Sequence, residues 1–190
     1  MAKEYSCVKK TKRGFESSFV ELSKEYPLNK ITVKMLCERA ELSRNAFYFH
    51  YQDINDLIRK IEDNIVSEAE ATLEKLKEIG FPKNVYATVE GLIDLLYENK
   101  DTCVMLFDKS FSTSFVDRLS KLFCDFNYQY FVRYHGNDKK ERFEFFYMFL
   151  ANGFYGLLRH WMANEDKMTK SELTALSYVL IKRLIMLENA

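Results

Sequence analysis

Apolar positions recur at three- and four-residue spacing along most of the chain, the period of an amphipathic helix and not the alternation of a half-buried strand. Phe15, Phe19, Val20 and Leu22 share one side of a first helix predicted from about Lys9 to Lys24, which Pro27 ends. Thr32 is placed to cap a short helix over Val33–Ala40, and Ser43 to cap another over Arg44–Tyr51. Ile54, Leu57, Ile58, Ile61, Ile65, Ala69 and Leu76 stripe a long helix from Ile54 to Ile79. Gly80 suits the position just past its end, and Pro82 the first turn of the next helix. That next helix carries Val85, Val89, Leu92, Ile93 and Leu96, and a short apolar helix follows over Thr102–Phe107. Two longer helices are expected over Ser114–Tyr134 and Lys139–Ala163, parted by the turn signal Gly136-Asn137-Asp138. Thr169-Lys170-Ser171-Glu172 reads as a capping box opening a last helix with Leu173, Leu176, Leu180, Ile181, Leu184 and Leu187. The pattern predicts an all-α fold of about nine helices.

Composition sharpens this. Six Gly and two Pro in 190 residues are too few for the frequent turns of a sheet fold. Hydrophobic residues at 47% and charged ones at 29% suit a folded soluble chain. Formal net charge is zero, so bulk charge does not draw the molecule to nucleic acid or an anionic membrane; any such contact must come from a local patch. Residues 1–60 supply one, with 12 Lys/Arg against 8 Asp/Glu. No apolar stretch is long enough to span a membrane, and MAKEYSCVKKTKRGF lacks the apolar core of a secretion signal. Cys7, Cys37, Cys103 and Cys124 form no CxxC pair, and His50, His135 and His160 do not join them at metal-ligand spacing. Free thiols in a reducing cytoplasm are expected, with no metal and no cofactor. No nucleophile elbow, phosphate loop or dinucleotide fingerprint is present, so the chain is not read as an enzyme.

The informative stretch is Ile31–Tyr51, ITVKMLCERAELSRNAFYFHY. Two short helices meet at a turn around Glu41-Leu42-Ser43, with Leu36, Ala40, Leu42 and Phe47 facing inward. This is the pattern of a helix-turn-helix, whose second helix enters the DNA major groove. Ser43 would meet the backbone there. Arg44 can reach guanine O6 and N7, and Asn45 adenine N6 and N7. Tyr48 and His50, further along, are phosphate candidates, as is Lys34 just past the cap of the preceding helix; Thr32, that cap, is counted with the DNA-binding residues. Lys9, Lys10, Lys12 and Arg13 read as a basic arm ahead of the unit.

These residues resemble the DNA-binding head of the TetR/AcrR transcriptional regulators. The resemblance covers Phe19 to Ile58 and rests on Phe19 and Leu22, Thr32-Val33-Lys34, Glu38-Arg39-Ala40, Leu42-Ser43 and Phe47-Tyr48-Phe49-His50-Tyr51. It implies a three-helix DNA-binding domain over 1–53 and a helical-bundle ligand-binding and dimerisation domain over 54–190; the shift in charge along the chain puts the boundary inside the long helix that begins near Ile54, not in a flexible linker. It also implies a homodimer that binds a palindromic duplex and responds to a small molecule, with repression as the usual sign. Two positions depart from the family pattern. Glu41 stands where the turn normally carries Gly, and Ile54 where a Lys usually meets phosphate, with Asp53 beside it. They keep open a second reading, a family member without autonomous DNA binding that acts as a protein–protein co-regulator. Phe154-Tyr155-Gly156-Leu157-Leu158-Arg159-His160-Trp161 resembles the glycine-then-tryptophan helix of the dihydroxyacetone-kinase-regulator-like subgroup, and Tyr97-Glu98-Asn99-Lys100 suits it.

Aromatic residues make up 15% of the chain, more than one helical core needs. The excess predicts a mostly apolar cavity for an apolar or aromatic effector, lined by Phe107, Phe111, Tyr128, Tyr147, Phe154 and Trp161. Tyr128, Tyr147, Asn152 and His160 could supply polar groups. The helix over Lys139–Ala163 is apolar on nearly every side, which predicts burial on two faces. With the last helix it would form a two-fold four-helix interface through Phe149, Gly153, Gly156, Leu176, Leu180 and Leu184.

Overall fold

The computed structural model describes residues 2–78, 85–107, 113–135 and 140–188. Among them are nine α-helices and no strand: α1 Ala2–Glu25, α2 Val33–Ala40, α3 Arg44–His50, α4 Ile54–Glu78, α5 Val85–Glu98, α6 Lys100–Leu106, α7 Thr113–His135, α8 Lys140–Met162 and α9 Lys170–Glu188. Short 3-10 turns stand at Leu28–Lys30 and Glu165–Lys167. The chain divides into two compact units, Met1–Ile65 and Val66–Ala190, and the division falls within α4.

One start differs from the pattern-based expectation. α1 begins at Ala2, so Lys9, Lys10, Lys12 and Arg13 lie on a helix and do not form an arm ahead of it. Ala, Lys, Arg and Glu favour helix without giving an apolar stripe. The periodic signal therefore begins only at Phe15.

In the first unit α1 packs on α2 and α3, and α2 on α3. Phe15, Phe19, Leu22, Leu36, Phe47, Tyr51 and Leu57 are buried. Phe15 meets Phe47 and Tyr51 edge-on, with ring centroids 5.5 and 6.2 Å apart. Arg39 on α2 is held by α1 carboxylates, at 2.8 Å from Glu25 and 3.5 Å from Glu21.

The turn between α2 and α3 is a Schellman motif. Leu42 N–H donates to Cys37 O at 3.0 Å and Glu41 N–H to Glu38 O at 3.3 Å. That closure puts Glu41 at φ 53°, the positive-φ position anticipated for a glycine. Leu42 then lies against Gly14 of α1, where an added Cβ would come within 3.3 Å of the leucine. Gly14 thus provides the room for the turn.

In the second unit α5 packs on α6 and α9, α7 on α8, and α8 on α6 and α9. Gly91 of α5 faces Thr72 and Leu76 of α4 at 3.5 and 3.8 Å from an added Cβ. Thr169 and Glu172 form the expected capping box. Thr169 N–H donates to Glu172 Oε2 at 2.8 Å, and Glu172 N–H to Thr169 Oγ1 at 3.3 Å. No helix among the described residues is long and apolar enough to cross a membrane.

Candidate nucleic-acid interface and cavity

The interface is built on α3. Ser43 Oγ accepts from Ala46 N–H at 3.1 Å and starts the helix; Thr32 Oγ1 accepts from Met35 N–H at 3.3 Å and starts α2. Both residues are exposed, and each hydroxyl keeps its proton free to donate outward. Phe47 and Tyr51 anchor the inner side of α3. Arg44, Asn45, Tyr48 and Phe49 are exposed at i, i+1, i+4 and i+5, so they share one outward stripe. Among the described residues, Arg44 and Asn45 have no hydrogen bond or ion pair in the fold. Lys34, exposed on α2, stands 3.9 Å from Glu38 in a solvent-screened pair that leaves its ammonium accessible.

His50 is half-buried at the end of α3. Burial, and then the positive charges of Lys12 and Lys60, hold its imidazole below the usual histidine range. Its imidazolium form is disfavoured in the unbound protein.

The start of α4 carries a clamp that the sequence reading did not single out. Asp53 Oδ1 accepts from Asp56 N–H at 2.8 Å, and Asp56 Oδ2 accepts from Gln52 N–H at 3.0 Å. Asp53 is thus a helix cap. Lys60 Nζ donates to His50 O at 2.7 Å and to Asp56 Oδ2 at 3.0 Å. One ammonium so joins the last carbonyl of α3 to α4, in the favourable orientation for a cation at a helix C-terminus. The Gln52 amide, then Lys60 and Arg59, hold the Asp56 carboxyl below the usual carboxylate range. The available signal was Asp56 and Lys60 at helical i,i+4 spacing. Tyr51 completes the packing: its hydroxyl lies 3.3 Å from Glu16 Oε1, and Lys60 Nζ lies 5.3 Å over its ring.

The second unit contains an apolar cavity of about 40 Å³, lined by Val85, Thr88, Val89 and Leu92 of α5, Phe123 and Asn127 of α7, Tyr147, Leu150, Ala151, Phe154 and Tyr155 of α8, and Ile181 of α9. Of the six expected pocket residues, Tyr147 and Phe154 line it. Phe107 packs instead against Phe115 and Tyr155, with centroids 5.8 and 6.0 Å apart. Tyr128 meets Phe143 in a tilted ring pair, with centroids 5.2 Å apart. Trp161 meets Tyr97 at 5.3 Å and donates to Met168 O at 2.7 Å, which makes it a brace for the turn into α9. Phe111 lies outside the described residues. Asn152 and His160 are exposed, away from the cavity; the lining residues that carry polar groups are Thr88, Asn127, Tyr147 and Tyr155. Aromatic spacing alone does not separate core from cavity wall, because both use one face of a helix.

The expected interface residues lie at the surface of the single chain. Phe149 is 66% exposed, Leu176 and Leu180 are exposed, and Leu184 is half-buried. An added Cβ at Gly153 or Gly156 would meet nothing within 4 Å. Phe145, at 79% exposure, extends this stripe on α8, and Val179 extends it on α9.

The thiolate form is disfavoured at Cys37, Cys103 and Cys124. Burial pushes the Cys103 thiol up to about 12 and raises those of Cys37 and Cys124. Among the described residues no cluster of His, Cys, Asp and Glu suits a metal ion.

Residues 83–183 match a family described as a transcriptional regulator C-terminal region, of TetR type. A search of curated proteins finds no significant match. Two solved structures share the fold over nearly the whole length. One is described as a TetR-family transcriptional regulator from Syntrophomonas wolfei: TM-score 0.72, 12% identity, 93% of this chain and 95% of that one covered. The other is a TetR transcriptional regulator from Streptococcus agalactiae: TM-score 0.62, 19% identity, with 95% and 98% covered. At these identities the likeness is one of fold.

Proposed function

Because the chain belongs to the TetR family of transcriptional regulators, we propose that it is a homodimeric, ligand-responsive repressor that binds a palindromic duplex through α3. The observation that carries this reading is the exposed stripe of α3. Arg44, Asn45 and Tyr48 face outward from a helix capped at one end by Ser43 and clamped at the other by Lys60. A rigid helix with unused donors and acceptors is what base reading requires. Thr32, Lys34, Ser43 and His50 take phosphates, and Arg44 and Asn45 take base edges. Asp53 at the start of α4 contributes no such contact, because its carboxylate caps the helix.

Effector response follows from the cavity. At about 40 Å³ of space open to water it holds only a few waters. An apolar effector entering here displaces them and widens the cavity. α5 supplies one wall and rests through Gly91 on Thr72 and Leu76 of α4. α4 is unbroken from Ile54 to Glu78 and carries Lys60, the residue bonded to the end of α3. α4 is the proposed route by which an effector changes DNA affinity, and couplings of this kind are about 1–3 kcal/mol. The Phe154–Trp161 string supports a likeness of the body to the dihydroxyacetone-kinase-regulator-like subgroup.

The test is binding of the purified protein to genomic fragments at about 50 and about 200 mM salt, where six phosphate contacts weaken binding about a thousandfold. A specific palindromic fragment lost on replacing Arg44 and Tyr48 together, with the dimer intact, supports the reading. No specific fragment at low salt overturns it in favour of the co-regulator. Glu41 and Ile54 favour that second reading, under which the same double variant leaves regulation unchanged.

A further inference from the structure

Among the residues of the first unit whose exposure is described, Phe49 is the most exposed aromatic one, at 77%, beside Arg44, Asn45 and Tyr48, whose exposed side chains carry polar groups. It stands on the outward stripe of α3, one turn beyond Asn45 and next to Tyr48, which is 59% exposed. Its described ring contact is with His50, edge-on at 5.0 Å, and this leaves most of the ring in water. Phe47, two residues earlier, is fully buried, so the inner side of α3 already has its aromatic anchor. Phe49 contributes little to this core.

On the duplex, the choice of contact is narrow. A phosphate offers an uncharged apolar ring nothing that water does not. In the major groove, guanine, adenine and cytosine present donors and acceptors, and only thymine presents a methyl group. Four residues of helix separate Phe49 from Asn45, about 6 Å of rise, or about two base-pair steps. We propose that Phe49 is a specificity-determining residue, packing on the C5 methyl of a thymine in each half-site within about two base pairs of the base that Asn45 reads. This inference rests on the DNA-binding reading of α3.

The test is selection from random-sequence duplexes at low salt with the wild-type protein and Phe49→Ala. Phe49 is exposed, so the variant keeps the fold, which far-ultraviolet circular dichroism checks. The wild type is expected to enrich a palindrome with thymine at one fixed position of each half-site. The variant keeps the rest of the palindrome and loses that preference. Deoxyuridine is then placed at the same position, which removes the methyl and leaves the pairing edge. It weakens the wild type by about fourfold per half-site, the value of one buried methyl-sized group, and leaves the variant unchanged. If deoxyuridine is neutral for the wild type, or if Phe49→Ala selects the same sequence, the inference falls while the DNA reading stands. If the folded wild type enriches no sequence at all, both fall.

Discussion

Glu41 occupies a left-handed position, φ 53°, that closes the Schellman turn between α2 and α3. A side chain there costs about 1 kcal/mol, which glycine avoids. Glu41→Gly is therefore expected to raise unfolding stability by somewhat less than that, since glycine also loosens the unfolded chain. Urea unfolding measures it, and a loss of stability would mean that the Glu41 side chain makes a compensating contact. His50 gives a pH dependence whose sign is fixed. Its free-state pKa lies below the usual histidine value because of burial, Lys12 and Lys60. A phosphate beside it stabilises the imidazolium and raises the pKa in the complex. DNA binding then takes up a proton. Affinity strengthens as pH falls from the bound-state pKa to the free-state one, by up to about tenfold per unit of separation, and is flat on either side. Titrating affinity between about pH 5 and pH 8, with His50→Gln as the flat control, checks it. A wild-type profile no steeper than the variant's removes His50 from the contact set.

Elements are held here by few groups, and Lys60 is the plainest case. Its ammonium bonds both the carbonyl that ends α3 and the carboxylate that helps to cap α4. Lys60→Met keeps the side-chain volume and removes both bonds. It should cost about 1 kcal/mol for the carbonyl bond and speed amide exchange over residues 47–51. DNA affinity falls at the same time, although Lys60 reads no base. An unchanged exchange pattern would show that ring packing alone holds α3. The helices themselves were legible. α2, α3 and α4 start where Thr32, Ser43 and the apolar stripe from Ile54 say they should, because caps and periodicity are local signals. The start of α1 was not, since helix-favouring charged residues leave no apolar period to read. Glu41 was legible from the turn it stands in. Lys60 was not, because its main partner is a backbone carbonyl ten residues away. The cavity was half legible: Tyr147 and Phe154 line it, but Phe107 and Trp161 have aromatic partners elsewhere, and only packing decides that.

For the molecule as a whole, the decisive question is what covers α8 and α9. Phe145, Phe149 and Met148 on α8, with Leu176, Val179 and Leu180 on α9, leave an apolar surface in water. Gly153 and Gly156 stand open within it, where helix stability alone would prefer alanine by about 1 kcal/mol each. A helix with two open glycines beside exposed phenylalanine is suited to close approach by another helix. The proposed homodimer packs α8 and α9 against their copies, and a palindromic duplex offers its two α3 helices half-sites about 34–36 Å apart. Two substitutions separate this account from a monomer with a greasy surface. Gly156→Ala stabilises a monomer by the helix-propensity gain. In a close-packed dimer that gain is cancelled or reversed. Gly156→Leu, with its side chain in open space within one chain, leaves monomer stability near the alanine value but blocks the approach. Sedimentation should then show the wild type as a dimer and Gly156→Leu as a monomer. Circular dichroism should be unchanged, and palindrome affinity should fall by at least about a hundredfold as the link between half-sites is lost. If Gly156→Leu remains a dimer with full affinity, α8 is not the interface, and the exposed apolar stripe must serve another partner.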